Sequence, residues 1–387
     1  MSPIRQQAPP PWPLYEEDEI NAVVRVLRSG NVNQWTGDLV SEFEEKFAQR
    51  MGMLHAVAVS SGSIALELAL RAFGIGAGDE VIVTSRSFIA SASCVNLVGA
   101  TPVFADVDYE TGLLSPATIE PHIGRRTKAI IPVHLYGRPC DMPAIMALAG
   151  KSNLIVIEDC AQSLGASING HQTGSFGHGA AFSFCRDKIM STGGEGGMIL
   201  FGDPEVRDRA WALKDHGKPR SLAKTAQPNN FEFRWCHERI GTNGRMLELQ
   251  AAIGLVQLNK LEGWLSARQR IAERYTGVLS RFPMLKVAAP RPGERHAYYR
   301  FEFRVESGDP QMNRDKLVRE LNAEGIKAFT GICPEIYREP VYLRTSSQQR
   351  RPNAARLAET SATVLSHHTL DEQYFLDCEQ AFEKILG

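Results

Sequence analysis

The chain has 387 residues, more than one compact core usually carries, so two structural units are the default expectation. Its 43% hydrophobic and 22% charged residues are ordinary for a soluble globular protein, and a net charge of −1 gives no electrostatic ground for expecting nucleic acid or an anionic membrane as partner. Seven cysteines are scattered at 94, 140, 160, 185, 236, 333 and 378 without a C-x-x-C pair, which fits reduced thiols in the cytoplasm and argues against a disulfide framework or a metal site.

Residues 1–14 are rich in Pro and Gln and read as an extended arm. The segment MSPIRQQAPPPWPLYEEDEI lacks the apolar core of a signal peptide, and no apolar stretch reaches the length of a membrane span. From Tyr15, the spacing of Ile20, Val23, Val24 and Leu27 predicts a helix ending near Gly30, and a second helix is expected over 38–50. Strands and helices then alternate. Strands are expected at His55–Val59, Glu80–Val83, Thr101–Phe104, Ala129–Val133, Leu154–Glu158, Ala180–Phe184 and Met198–Phe201. Helices are expected after SSGS, over Phe88–Val98 and around 142–150. Such alternation indicates an α/β fold with a mostly parallel sheet covered on both faces. A long helix, Leu247–Leu265, is expected to lead into a smaller α+β unit built from a strand at Tyr298–Val305 and a helix over KLVRELNAEGI. The expected division is therefore an arm at 1–14, a large unit at 15–264 and a smaller one at 265–387.

Three segments carry chemistry. Lys188, in FSFCRDKIMSTGGEGGM, follows a buried strand and precedes a Gly-rich turn. Most lysines are merely exposed; one partly desolvated at a sheet edge is an amine nucleophile. Asp159 ends the strand LIVIED, where open α/β sheets place their ligands. It is either a helix cap or a carboxylate that keeps a pyridine nitrogen protonated, making the ring an electron sink. In SSGS, Gly62 permits a tight turn, Ser63 opens the next helix, and the helix N-terminus suits phosphate. Phe88 is either core or an aromatic that stacks on a planar ring. The GGEGG run at 193–197 is not a dinucleotide fingerprint, since it lacks G-x-G-x-x-G and precedes a strand.

Taken in order, SSGSIALELAL, TSRSFIASASCVNLVGATPVFADVD, RTKAIIPVHLYG, IEDCAQSLGA, FSFCRDKIMSTGGEGG and GTNGRMLELQAAIG resemble the DegT/DnrJ/EryC1/StrS family, sugar aminotransferases that use pyridoxal 5'-phosphate (PLP). The resemblance implies PLP fold type I, like that of aspartate aminotransferase. It implies that Lys188 holds PLP as a Schiff base, that Asp159 pairs with the ring nitrogen and that Gln162 reaches the ring hydroxyl. It further implies that Gly62, Ser63 and Ser183 hold the phosphate, that Phe88 stacks on the ring, and that Asn243 reaches the cofactor of the neighbouring subunit in a homodimer with shared active sites. The implied substrates are L-glutamate and a nucleotide-linked keto sugar, with amination at C-4 of a 4-keto-6-deoxy sugar expected over C-3. Thr36, His216 and Arg234 are candidates to line the sugar site. Some family members carry histidine in place of the lysine and act as dehydratases; Lys188 argues against that activity, and a non-catalytic regulator would not require the whole set. Where many members have His after FSF, this chain has Cys185, for which packing is the expected role.

Overall fold

The computed structural model describes residues 2–222, 236–308, 311–343 and 349–387. Two helices, α1 (Glu17–Ser29) and α2 (Leu39–Met51), precede the first strand, each stopped by a glycine in the left-handed region, Gly30 and Gly52. A seven-stranded sheet follows: β1 (His55–Val59), β2 (Glu80–Thr84), β3 (Thr101–Ala105), β4 (Thr127–Ile131), β5 (Ile155–Asp159), β6 (Gly179–Ser183) and β7 (Gly197–Phe201). Its order is β1-β7-β6-β5-β4-β2-β3. Only β7 runs against its neighbours β1 and β6; the other pairings are parallel. Helices α3 (Gly62–Ala72), α4 (Ala90–Leu97), α5 (Met142–Lys151) and α6 (Pro204–Lys214) make connections along the sheet.

The sheet is buried on both faces, as its near-continuous apolar strands require. Successive residues go to opposite sides: Val156, Phe182 and Ile82 join Phe43 and Phe47 of α2 on one face, while Ile157, Ala181, Val81 and Val83 join Leu66 and Leu68 of α3 on the other. Because β1, β2, β5 and β6 point the same way, their carboxyl ends share one edge. The reversed β7 starts at that edge, with Gly197 opposite both Val59 and Ser183.

The helix α7 (Glu248–Leu279) has 32 residues and packs on α1 and α2. Beyond it, β8 (Leu285–Lys286), β9 (Phe301–Val305), β10 (Ala328–Phe329) and β11 (Ser361–Val364) form an antiparallel sheet in the order β8-β9-β11-β10. Helices α8 (Arg314–Ala323) and α10 (Glu372–Leu386) cover it, with α9 (Pro352–Thr360) leading into β11. Among the described residues no helix is long and apolar enough to cross a membrane, and all seven cysteines are free thiols.

Three elements differ from expectation. The linking helix runs to Leu279 rather than Leu265, so the expected boundary at 264/265 falls inside it. Its second half looks polar, but Ile271, Ala272, Tyr275 and Leu279 recur at helical spacing and enter the core of the smaller sheet. The strand expected from Tyr298 starts at Phe301, because Tyr298 is left-handed at φ 48°. The helix expected from Phe88 begins at Ala90, leaving Phe88 on the loop before it.

A buried ion pair fastens α2 to the sheet. Lys214 Nζ donates to Glu44 Oε1 at 3.0 Å and to the Ala58 carbonyl at 3.0 Å, and Glu44 Oε1 also accepts the Ala58 N–H at 2.8 Å. The Lys214 side chain is fully buried, and burial draws its pKa below the usual lysine value. Glu44→Ala strands that ammonium without its counter-charge and is expected to cost about 3–5 kcal/mol, read as a lower midpoint of urea unfolding.

Candidate active site

The shared carboxyl edge opens into a cavity of about 520 Å³ lined from both sheets: Gly62, Ser63, Phe88, Asp159, Gln162, Ser183 and Lys188 on the large side, Tyr299, Arg300, Phe329 and Ile332 on the other. Seven of the candidate residues thus meet at one place, although they span more than a hundred positions of sequence.

At one end lies the N-terminus of α3. Ser61, not Ser63, caps the helix: its Oγ accepts the Ile64 N–H at 3.3 Å, and the helix begins at Gly62. Gly62 is required by close approach, since a Cβ there would sit 2.6 Å from Ser183 Cβ. The exposed first-turn amides and the hydroxyls of Ser63 and Ser183 make a small anion cradle.

Asp159 sits at the middle of the edge, 4% exposed. Oδ2 accepts from Ser91 Oγ at 2.7 Å and Oδ1 from the Ala161 N–H at 3.1 Å. Burial raises its pKa above the usual carboxylate value, against the pull of Ser91, Ala161, Lys188 and His134. A cationic ring N–H beside it would offset that cost. Gln162, three residues on, points to the same cavity and accepts the Tyr136 N–H at 2.8 Å. Phe88 lines the same cavity and is 60% exposed, so it is not a core residue.

Lys188 lies on the turn after β6. Its N–H donates to the Cys185 carbonyl at 3.1 Å, its carbonyl accepts Trp12 Nε1–H at 2.8 Å, and its Nζ lies 4.8 Å from the centre of the Tyr299 ring. Cys185 lines the same cavity; burial pushes its thiol up, so it stays protonated, with Sγ 3.8 Å from Glu195 Oε1. A lysine amine, a buried carboxylate, an anion cradle and an aromatic wall together fit PLP: its aldehyde, ring nitrogen, phosphate and ring face each have a counterpart here.

Thr36, His216 and Asn243 are not among the residues that line this cavity. They gather on another surface, where Lys218 stacks on Trp35 at 4.2 Å, the His216 N–H donates to the Thr242 carbonyl at 3.0 Å, and Asp215 bridges Asn243. Arg234 lies outside the described residues.

Sequence reasoning missed several cavity residues. Ser91 orients Asp159 from α4, and Tyr136, left-handed at φ 56°, gives its N–H to Gln162 while its hydroxyl accepts the Ile332 N–H at 2.6 Å. Asp187 accepts from the Tyr299 hydroxyl and faces Arg300 at 3.7 Å. Asp187 had a signal in its adjacency to Lys188; Tyr299 and Arg300 had none, since only the tertiary fold brings them there.

The DegT/DnrJ/EryC1/StrS aminotransferase family model matches residues 13–376. A GDP-perosamine synthase of Caulobacter vibrioides is 42% identical over 294 residues, covering 76% of each chain. A UDP-N-acetyl-3-dehydro-alpha-D-glucosamine 3-aminotransferase of Acidithiobacillus ferrooxidans is 42% identical over 73% of this chain and 71% of its own. Among solved structures, an aminotransferase from Psychrobacter cryohalolentis superposes with a TM-score of 0.93 at 42% identity, covering 97% of this chain and 98% of that one. The fold and site define a PLP-dependent aminotransferase of fold type I. The chain belongs to the DegT/DnrJ/EryC1/StrS aminotransferase family.

A methyl group at Gly62 would push Ser183 out of the anion cradle. Gly62→Ala is expected to weaken PLP binding by about 10-fold or more, measured by equilibrium titration of the cofactor, and to lower the unfolding midpoint as well, because the new methyl presses on Ser183 close to the strand backbone.

Proposed function

We propose that this enzyme transfers an amino group from L-glutamate to a nucleotide-linked keto sugar in amino-sugar biosynthesis, with a 4-keto-6-deoxy sugar as acceptor. The observation that carries the reading is that Asp159, at the end of β5, and Lys188, on the turn after the adjacent β6, face one cavity that the first turn of α3 also lines. The relatives' names support nucleotide-linked sugars as the substrate class. A C-3 keto sugar is the competing acceptor, favoured by the 3-aminotransferase among them.

When bound, PLP supplies an electron sink for the charge left on a carbon that loses a proton. The residues do the rest. Lys188 would hold the cofactor covalently at rest; once the donor's amine displaced it, its freed Nζ would take the proton from the donor's α-carbon and return it as general acid. The Asp159 carboxylate keeps the ring nitrogen protonated, and Ser91 and the Ala161 amide keep that carboxylate aimed. Gln162 would orient the ring through its hydroxyl, Gly62, Ser63 and Ser183 would hold the phosphate, and Phe88 would cover the ring face.

The enzyme acts in this reading as a homodimer. The surface carrying Thr36, His216 and Asn243 also exposes Trp35, Ile240 and Leu247, apolar side chains suited to a subunit contact. Across it, Asn243 would complete the phosphate site of the neighbouring protomer, and Thr36 and His216 would border its sugar site. Asn243→Ala is expected to weaken PLP binding while leaving every residue of the protomer's own cavity in place.

The donor half is tested by absorbance of the PLP-loaded protein. L-glutamate should bleach the visible band and 2-oxoglutarate should restore it; a band indifferent to L-glutamate removes it as donor and favours a dehydratase. Lys188→Ala should abolish turnover and leave retained cofactor non-covalent, and normal turnover in that variant would remove Lys188 from the mechanism. Asp159→Asn should lower the half-reaction rate by roughly 10²-fold or more, as loss of a preorganised charge partner does elsewhere.

A further inference from the structure

The N-terminal arm runs from the smaller sheet's side of the protein to the turn that carries Lys188. At its start the Arg5 N–H donates to the Glu324 carbonyl at 2.9 Å, and the buried Arg5 guanidinium pairs with Asp377 of α10 at 2.8 Å. Further on, the Pro11 carbonyl accepts from Thr369 Oγ1 at 2.8 Å, and Tyr15 Oη donates to Ser191 Oγ at 3.3 Å. Trp12 stands between those points. Its indole is set edge-on against two rings, Trp264 of α7 at 5.3 Å and His368 at 4.7 Å, which stack on each other at 4.5 Å and 7°. His368 belongs to the segment between β11 and α10; burial, with Arg268 and Lys260 nearby, lowers its pKa to about 3, so it packs as a neutral ring. Edge-on contacts with two rings fix the direction of the indole, and they aim its Nε1–H at the Lys188 carbonyl, 2.8 Å away.

That bond matters because the turn does little else to fix Lys188. Arg186 is exposed, and Cys185, Asp187 and Lys188 are half-buried. The Cys185 N–H donates to Ser183 Oγ at 3.3 Å and the Lys188 N–H to the Cys185 carbonyl at 3.1 Å, so both bonds stay within the turn. Asp187 is held through its side chain, which accepts from the Tyr299 hydroxyl. Firm anchoring starts one residue after the lysine, where Ile189 and Met190 enter the core and the Ser191 N–H donates to Gln257 Oε1 at 2.9 Å. Among the described residues Trp12 is the one donor to the Lys188 carbonyl. A buried indole N–H needs an acceptor, and any carbonyl would satisfy it. The one it takes belongs to the residue whose side chain does the chemistry.

We propose that Trp12 is a positioning residue for Lys188: through the backbone carbonyl it sets where the amine enters the cavity, and it makes that position depend on how the arm is seated. The inference rests on the reading of Lys188 as the cofactor lysine and adds to it a residue that touches neither cofactor nor substrate. Misplacing a reacting group by about 1 Å costs up to about 10²-fold in rate while contacts elsewhere in the site still form.

Covalent loading tests this without any amino donor. The Lys188 amine condenses with the PLP aldehyde and one water leaves, after PLP has bound non-covalently. Rapid mixing of cofactor-free protein with PLP separates the two stages: the growth of the visible band against PLP concentration gives a dissociation constant for the first and a limiting rate for the second. Two variants are compared, Trp12→Phe and a protein with 3-benzothienylalanine at position 12, which keeps the fused rings and replaces the N–H by sulfur. Both are expected to lower the limiting rate by about 10-fold or more with the dissociation constant little changed. In the cofactor-free protein, amide exchange at Lys188 should accelerate in both. A sulfur analogue that loads at the rate of the unsubstituted protein overturns the proposal and leaves Trp12 a packing residue. A loss confined to the dissociation constant or to the unfolding midpoint also overturns it, by assigning Trp12 to general stability. If L-glutamate leaves the visible band of the unsubstituted protein unchanged, the choice of donor fails and the loading rates still decide the role of Trp12. If the unsubstituted protein forms no visible band, Lys188 is not the cofactor lysine and the proposal falls with that reading.

Discussion

A carboxylate at the end of a buried parallel strand is costly, and the site is organised around that cost. β5 ends in Glu158 and Asp159, which point to opposite faces of the sheet. Glu158 is fully compensated: its two oxygens accept from the amides of Gly174, Phe176 and Gly177 and face His134 Nε2 at 2.9 Å. Nδ1 of that histidine accepts the Cys140 N–H, so the ring offers Nε2–H to Glu158. Asp159 receives only two protein donors, and burial raises its pKa. One acid of the pair is thus a structural anchor, while its neighbour is left with unused acceptor capacity facing the cavity.

Around Asp159, the parallel order of the sheet does the assembling. Four strands ending at one edge deliver the α3 cap, the Phe88 loop, Gln162 and Lys188 to the same opening, and the reversal of β7 adds Glu195. The smaller sheet closes the opening through Tyr136. Its left-handed backbone turns the N–H toward Gln162, while its hydroxyl takes the Ile332 amide from across the cavity. A residue at positive φ that is not glycine is strained, and it persists here because both of its polar ends are engaged.

Much of this was legible in sequence, for identifiable reasons. Apolar runs of four or five residues bounded by turns located β1 through β7 to within two residues, because strands buried on both faces carry few polar interruptions. The cofactor side of the site was legible because its residues sit at strand ends and in short motifs that keep local order. The opposite wall was not. Tyr299 and Arg300 follow a left-handed Tyr298 that breaks the strand expected there, and nothing in their neighbourhood records that Asp187 lies against them. The second half of α7 was hidden for a similar reason: its stripe of Ile271, Ala272, Tyr275 and Leu279 is diluted by Arg and Glu that face solvent or carbonyl groups elsewhere. Ser61 rather than Ser63 caps α3 because hydroxyls two positions apart look alike until the backbone shows which one precedes the first turn.

The continuity of α7 has a consequence for building variants of this enzyme. A helix of 32 residues is about 48 Å long, and this one contributes side chains to the core of the large sheet at Ala251, Leu258 and Leu261 and to that of the smaller sheet at Ile271, Tyr275 and Leu279. The two cores therefore share one rigid rod and are set to melt together rather than in sequence. Exchanging C-terminal segments between relatives at 264/265 would splice two halves of a helix whose faces must stay in phase over nine turns. A chimera joined after Leu279, in the turn before β8, keeps that phase and carries Tyr299, Arg300, Phe329 and Ile332, one wall of the cavity, as a single cassette.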